Sequence, residues 1–172
     1  MYELEVVLEG TDPPIWRRLR VDPGTALDKL HLILQAAMGW ENKHPHCFRQ
    51  EDALFAPAKL ALEGAADETI ALKELLRRPG DALAYEYDFE SCWEHRIELL
   101  AVRPSGAREC LGGERACPPE DCGGVDGYEE LLDIIADPDH EDYEETMEWL
   151  DDSFESEEFD VMLANRRLRR VP

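Results

Sequence analysis

A chain of 172 residues is long enough for one domain with a substantial core, and 44% hydrophobic beside 34% charged residues describe a chain that folds. A formal net charge of -22 repels phosphate backbones and excludes nucleic-acid binding unless a local basic patch overcomes it. No run approaches the roughly 18 apolar residues of a membrane span, and five cysteines without a secretion signal predict free thiols and a cytoplasmic location.

Tyr2, Leu4, Val6 and Leu8 alternate with Glu3, Glu5 and Glu9, the period-two pattern of a half-buried strand. After Asp12-Pro13-Pro14 the alternation resumes with Ile15, Leu19 and Val21, which predicts a partner strand. Thr25 is placed to cap a helix with Asp28 three positions on. Leu27, Leu30, His31, Leu34 and Met38 form its apolar stripe, and Gly39 ends it. Residues 44–49 predict a short strand, and Ala71 to Arg78 a short helix stopped by Pro79-Gly80. Tyr85, Tyr87 and Phe89, then Trp93, His95, Ile97 and Leu99, alternate with polar residues around a short turn: a β-hairpin with an aromatic inner face.

Residues 109–124, ECLGGERACPPEDCGG, hold three cysteines, four glycines and two prolines and read as a loop. Beyond it, Asp126 with Glu129 predicts the capped start of a helix carrying Tyr128, Leu131, Leu132 and Ile135. Asp137-Pro138 predicts the start of another, with Tyr143, Met147, Leu150 and Phe154 as its stripe, and Phe159, Met162 and Leu163 predict the buried face of a last one. The expected fold is α+β, a single domain over 1–172. Strands and one long helix fill 1–102, the cysteine, glycine and proline loop fills 103–125, and helices fill 126–170. Twelve carboxylates and no lysine or arginine lie between Asp139 and Asp160, the composition of a solvated acidic face on packed helices.

PPIWRRL (13–19), LHLILQAAMGW (30–40), HPHCF (44–48), YEYDFESCWEHRIEL (85–99) and ACPPEDCGGVDGYEELL (116–132) together resemble the family named after the third open reading frame of plasmid pRiA4b. The resemblance implies an α+β domain of bacterial or archaeal origin without an established activity, some of whose members carry a transposon-resolvase label. Glu90 and Ser91 stand where that family has Gly-Asp, so the hairpin turn here must be made without a glycine.

Resolvase chemistry needs a serine among arginines on a DNA-holding surface. Of Ser91, Ser105, Ser153 and Ser156 only Ser105 has basic neighbours, Arg103 and Arg108, in a loop context. The basic clusters Arg17-Arg18-Leu19-Arg20 and Arg166-Arg167-Leu168-Arg169-Arg170 are expected to pair with the chain's own carboxylates, so no nucleic acid is expected as partner. His31, on the buried stripe of its helix, is expected to be a hydrogen-bonded core histidine.

Two sets of residues are candidates for a site. His44 and His46 share a strand face, and His95 stands beside Trp93 on the inner face of the hairpin. With Asp88, itself expected to accept a bond from Arg17 or Arg18, they make a ligand-binding set: His44, His46, Asp88, Trp93 and His95. The second set is Cys110, Cys117 and Cys122, three thiols on a glycine-rich loop that would hold tetrahedral zinc with His95 as fourth ligand and Cys92 as the next choice. Spacings of six and four intervening residues differ from the two-residue zinc knuckle, which favours a structural crossing. The chain is therefore expected to be a non-enzymatic cytosolic module binding a protein partner, its acidic helices meeting something basic, with no cofactor and no membrane. A zinc-binding module or metal-dependent enzyme on the cysteine loop is the alternative.

Overall fold

The computed structural model describes residues 1–150 and 154–172. Asp151, Asp152 and Ser153, read above as part of the acidic segment, lie outside the described residues. Where the sequence alternates, strands form. β1 (Tyr2–Leu8) and β2 (Ile15–Val21) bury every second side chain and pair antiparallel, with Glu3 opposite Arg20 and Glu5 opposite Arg18. Opposite charges facing one another across the strands support that register on the outer face. Arg18 meets Glu5 at 2.8 Å, Arg20 meets Glu3 at 3.3 Å and also pairs with Glu109, and Arg103 reaches Glu3 at 3.0 Å.

β3 (His46–Gln50), β4 (Ala53–Ala56), β5 (Ala66–Asp67), β6 (Ala82–Tyr87), β7 (Trp93–Val102) and β8 (Glu109–Glu114) complete one eight-stranded sheet, in the order β5-β4-β3-β6-β7-β1-β2-β8. Its neighbours are antiparallel except for β4 with β5. The helices are α1 (Leu27–Met38), α2 (Leu72–Leu75), α3 (Gly124–Ala136), α4 (Tyr143–Trp149) and α5 (Val161–Leu168), so the fold is α+β. The core joins the inward side chains of the sheet, such as Leu4, Val6, Leu19 and Ile97, to the α1 stripe of Leu27, Leu30, Ile33 and Leu34.

Helix starts differ from the sequence expectation. Ala26, not Thr25, precedes α1, and no side chain caps it. Instead the free N–H groups of Leu27 and Asp28 donate to the carbonyls of Ile70 (3.1 Å) and Glu68 (3.1 Å), because the 66–71 segment lies across the helix end. Asp126 lies within the first turn of α3, which begins after Gly123 at φ 93°. At Gly124 a Cβ would stand 2.5 Å from the Ser91 carbonyl oxygen, so the turn at this helix start needs glycine for space as well as conformation. Asp137 ends α3 and its side chain accepts from the Asp139 N–H at 3.1 Å, so the next helix starts only at Tyr143. On α5, capped by Asp160, the buried residues are Ala164 and Leu168, while Met162 is 73% exposed.

β8 departs from the loop expected over 103–125. ECLGGE carries no alternation of large apolar residues; what recruits it is the free edge of β2, whose Trp16 to Arg20 pair antiparallel with Glu114 to Glu109. Gly113 lies flat on Arg17: a Cβ there would stand 2.6 Å from the Trp16 carbonyl and 2.9 Å from Arg17 Cδ. As the outer strand β8 would present unpaired backbone groups, and Asn165 of α5 covers some of them. Its Oδ1 accepts from Cys110 N–H at 2.8 Å and its Nδ2 donates to Cys110 O at 2.8 Å. Asn165→Ala is expected to lower the unfolding free energy by about 1–3 kcal/mol, since both Cys110 groups lose their partner. Urea unfolding checks this; an unchanged midpoint would show that the clamp adds nothing.

Candidate functional site

The inner face of the β6–β7 hairpin carries Tyr85, Tyr87, Trp93 and His95, all buried, as the alternation predicts. Its turn dispenses with glycine: Asp88 (φ 59°) and Cys92 (φ 52°) take the left-handed conformation, leaving Glu90 and Ser91 outside it. Asp88 fixes the turn by accepting from Glu90 N–H at 3.1 Å, and its own N–H donates to Pro45 O at 2.8 Å. It is not the partner of Arg17 or Arg18. Burial opposes its charge, but hydrogen bonds from Ser91 and Glu90 and the field of His44 outweigh this and hold the carboxyl below its usual range.

Four residues of α1, β6 and the connection after α1 close a hydrogen-bond ring. Gln35 Nε2 donates to Tyr85 Oη at 3.0 Å, Tyr85 donates to His31 Nδ1 at 2.8 Å, His31 Nε2 donates to Asn42 Oδ1 at 2.7 Å, and Asn42 N–H donates to Gln35 Oε1 at 2.9 Å. Each donor finds an acceptor only if His31 is neutral, and burial, opposed by the Asn42 bond, lowers its pKa to about 4. His46 stacks on His31 with centroids 3.5 Å apart and planes 6° apart, and its Nε2 meets Glu68 Oε2 at 2.9 Å. Burial brings His46 down to about 3 and Glu68 up to about 7. His95 Nδ1 donates to Trp93 O at 3.0 Å, and burial lowers it to about 4; its Nε2 is buried and has no hydrogen-bond partner among the described residues.

The five proposed ligand-binding residues therefore do not converge. His44 sits at the surface between Asp121 (3.0 Å) and Asp88 (3.7 Å), His46 belongs to the stack with His31, and Trp93 and His95 lie in the core beside Trp40. Strand parity brings the side chains inward but does not say which neighbour fills the space between them.

Near them lies a cavity of about 750 Å³ that none of the five lines. Arg17, Trp40, Cys117, Trp149, Phe159 and Arg167 contribute to its wall. Arg17 is 1% exposed. Its Nε donates to Ala37 O at the end of α1 (3.2 Å), its Nη1 to Trp16 O (2.8 Å) and Glu114 O (2.9 Å), and its guanidinium lies 4.0 Å from the centroid of Phe159. Tyr87 donates to Glu120 and accepts from the N–H groups of Lys43 (2.9 Å) and His44 (3.3 Å), while Trp40 donates to Pro118 O at 3.0 Å and Trp93 to Glu120 O at 3.2 Å. These bonds lock the 117–121 segment over the hairpin as one wall of the cavity. The parity that buries Ile15, Leu19 and Val21 also buries position 17, and that was the signal for Arg17 in the sequence.

The cysteines go to different surroundings. Cys110 is buried on β8 with its Sγ 3.4 Å from Gly112 O, Cys117 faces the cavity and Arg17, and Cys122 lies 3.9 Å from Gly124 O. Burial raises all three thiols, Cys122 to about 12. The set Cys110, Cys117, Cys122 and His95 is not gathered as a ligand shell: among the described residues no group of three or more His, Cys, Asp or Glu is placed to hold a metal ion. The reason is topological. Cys110 is carried off by pairing with β2, and His95 is turned into the core by β7.

The family model of the plasmid pRiA4b ORF-3-like proteins matches residues 1–163, and the chain belongs to that family. It is 37% identical to the uncharacterised protein y4hQ of Sinorhizobium fredii over 168 residues, 94% of this chain and 84% of that one. The crystal structure of a protein of unknown function from Methanosarcina mazei Go1, MM3350, is similar at a TM-score of 0.80 and 32% identity, covering 94% of this chain and 95% of that one.

Two predictions follow from the buried groups. An unfolded histidine titrates near 6.5, so the unfolded chain takes up protons below that pH which folded His31, His46 and His95 refuse. Their contribution is complete above about pH 6.5 and is lost as pH falls toward 4 and 3; Glu68, raised to about 7, acts in the opposite sense as one group against three. The urea midpoint is expected to fall from pH 6.5 to 4.5, and less steeply in His95→Gln. Tag-free protein is expected to carry well under one zinc per chain and to melt unchanged in chelator, measured by elemental analysis and calorimetry. Stoichiometric zinc that Cys117→Ser removes would restore the ligand role.

Proposed function

We propose that the chain is a non-enzymatic binding module that engages a basic protein partner through its acidic C-terminal segment. The observation that carries this is the company the carboxylates keep: Met147 (42% exposed), Trp149 (51%), Met162 (73%) and Leu163 (36%) stand in solvent among them. Carboxylates alone would make a solvated face, whereas large apolar side chains left uncovered beside them suit a partner presenting lysine or arginine with apolar residues between. Support for a non-enzymatic role comes from the histidines and cysteines: His31, His46 and His95 are buried and neutral, and Cys110, Cys117 and Cys122 are held as thiols. Among the described residues no helix is long and apolar enough to cross a membrane.

The test is parallel affinity capture from host lysate on wild type and on the Met147→Ser/Met162→Ser double variant, whose two positions lie outside the cavity wall. A basic protein is expected on wild type, released as salt rises, and retained at least about tenfold less by the variant. Equal retention by both would sink the reading.

A further inference from the structure

Arg17 is buried, yet among the described residues no carboxylate pairs with it. Its three hydrogen bonds to described residues come from Nε and Nη1 and go to carbonyls, and Nη2 has no acceptor among the described residues of the cavity wall. Three carbonyls and the Phe159 ring solvate the cation in part; a fully desolvated guanidinium calls for an anion. A second cation stands on the same wall. Arg167 of α5 packs against Gly39, where a Cβ would come within 2.6 Å of Arg167 Nη1, and its charge further disfavours that of Arg17. Arg167 has no ion pair among the described residues either. Two guanidinium groups lining one cavity, close enough for each charge to be felt by the other, suit the two oxygens of a carboxylate.

The rest of the lining tells against a simple anion. Glu41, Glu120, Asp121, Glu155, Glu158 and Asp160 also border the cavity; Glu41 and Asp121 meet Lys43 and His44, Glu120 accepts from Tyr87 and Asp160 caps α5, whereas the Glu155 and Glu158 carboxylates have no cation and no hydrogen-bond donor among the described residues. An anion with no positive charge would be attracted by the arginines of this lining and repelled by its carboxylates. Trp149, Phe154 and Phe159 line the same cavity and suit an alkyl stem or a cation over a ring. A volume of about 750 Å³ lies in the roughly 300–1,000 Å³ range of ligand sites.

We propose that this cavity binds a carboxylate borne on a basic residue, the carboxylate meeting Arg17 and Arg167 and the basic side chain meeting Glu155 and Glu158. Free basic amino acid and the C-terminal residue of a basic peptide share that chemistry. The proposal shares Trp149 and the acidic segment with partner capture, but it depends on Arg17, Arg167 and a free carboxylate, and neither Met147 nor Met162 lines the cavity, so the two can fail separately.

Calorimetric titration of the full chain with three probes tests it: free arginine, an acetylated hexapeptide ending in Leu-Arg with a free carboxylate, and the same peptide amidated at its C-terminus. At least one carboxylate probe is expected to bind, the amide about tenfold more weakly than the acid, and Arg167→Gln to lose about the same factor. Arg167 is half-buried, so this variant folds where Arg17→Gln risks not folding. Glu155→Gln/Glu158→Gln is expected to weaken arginine binding. Binding of arginine alone assigns the site to the free amino acid, and binding of the acid peptide assigns it to a peptide terminus. Equal affinity for acid and amide, wild-type affinity in Arg167→Gln, or no binding of either carboxylate probe to folded protein would overturn the proposal.

Discussion

Burying the Arg17 guanidinium is the constraint on which most of the architecture depends. It stands on β2 at a position whose parity faces the core, and it is accepted there because three separate elements supply it with partners. Ala37 O comes from the C-terminal end of α1, where the helix dipole favours a cation; Glu114 O comes from the end of β8; the Phe159 ring comes from the segment before α5. A buried guanidinium without such partners would cost several kcal/mol. The same group therefore determines where α1 ends over the sheet, why β8 must run past with Gly113 at the crossing, and why the C-terminal segment returns to the sheet.

The second organising feature is the polar seam between α1 and the hairpin. Histidines in a row of aromatic residues suggest a reactive pocket, but here the geometry makes them neutral spacers. His31 is held in one tautomer by the ring through Tyr85, Asn42 and Gln35, and the flat stack with His46 fills the space beneath it. Such a seam specifies the register of α1 on the sheet, because sliding the helix by one turn would leave several buried donors unpaired at once. Its cost appears only when protons are offered to groups that cannot be solvated.

The acidic surplus divides along the sheet. On the outer face, glutamates meet arginines across strands and the charge is locally balanced. Between Asp139 and Asp160 the chain has no lysine or arginine of its own, and Arg115 of the connection after β8 ties the segment down through Glu157 at 2.8 Å. The cavity brings these regimes together, its lining holding Arg17 and Arg167 as well as Glu155 and Glu158, which have no cationic partner among the described residues.

The sequence by itself determined what depends on short range. Alternation in 2–8, 15–21, 85–87 and 93–99 became strands, the 3.6-residue stripe from Leu27 to Met38 became α1 with Gly39 at its end, and the inner face of Tyr85, Tyr87, Trp93 and His95 was legible from parity, whereas Phe89, expected on that face, falls in the turn. Only the tertiary structure decided matters in which a residue's partner lies far along the chain. Carbonyls of the 66–71 segment took over the role expected of Thr25; β2 turned ECLGGE into a strand and so pulled Cys110 away from Cys122; and β3 began only at His46, leaving His44 at the surface by Asp88 and Asp121 while His95 on β7 faced the core. Local pattern records which way a side chain points, because that is set by adjacent dihedrals. Which group it meets is set by the packing of distant elements, and a cavity between Arg17 and Arg167, 150 positions apart in the sequence, has no local signature at all.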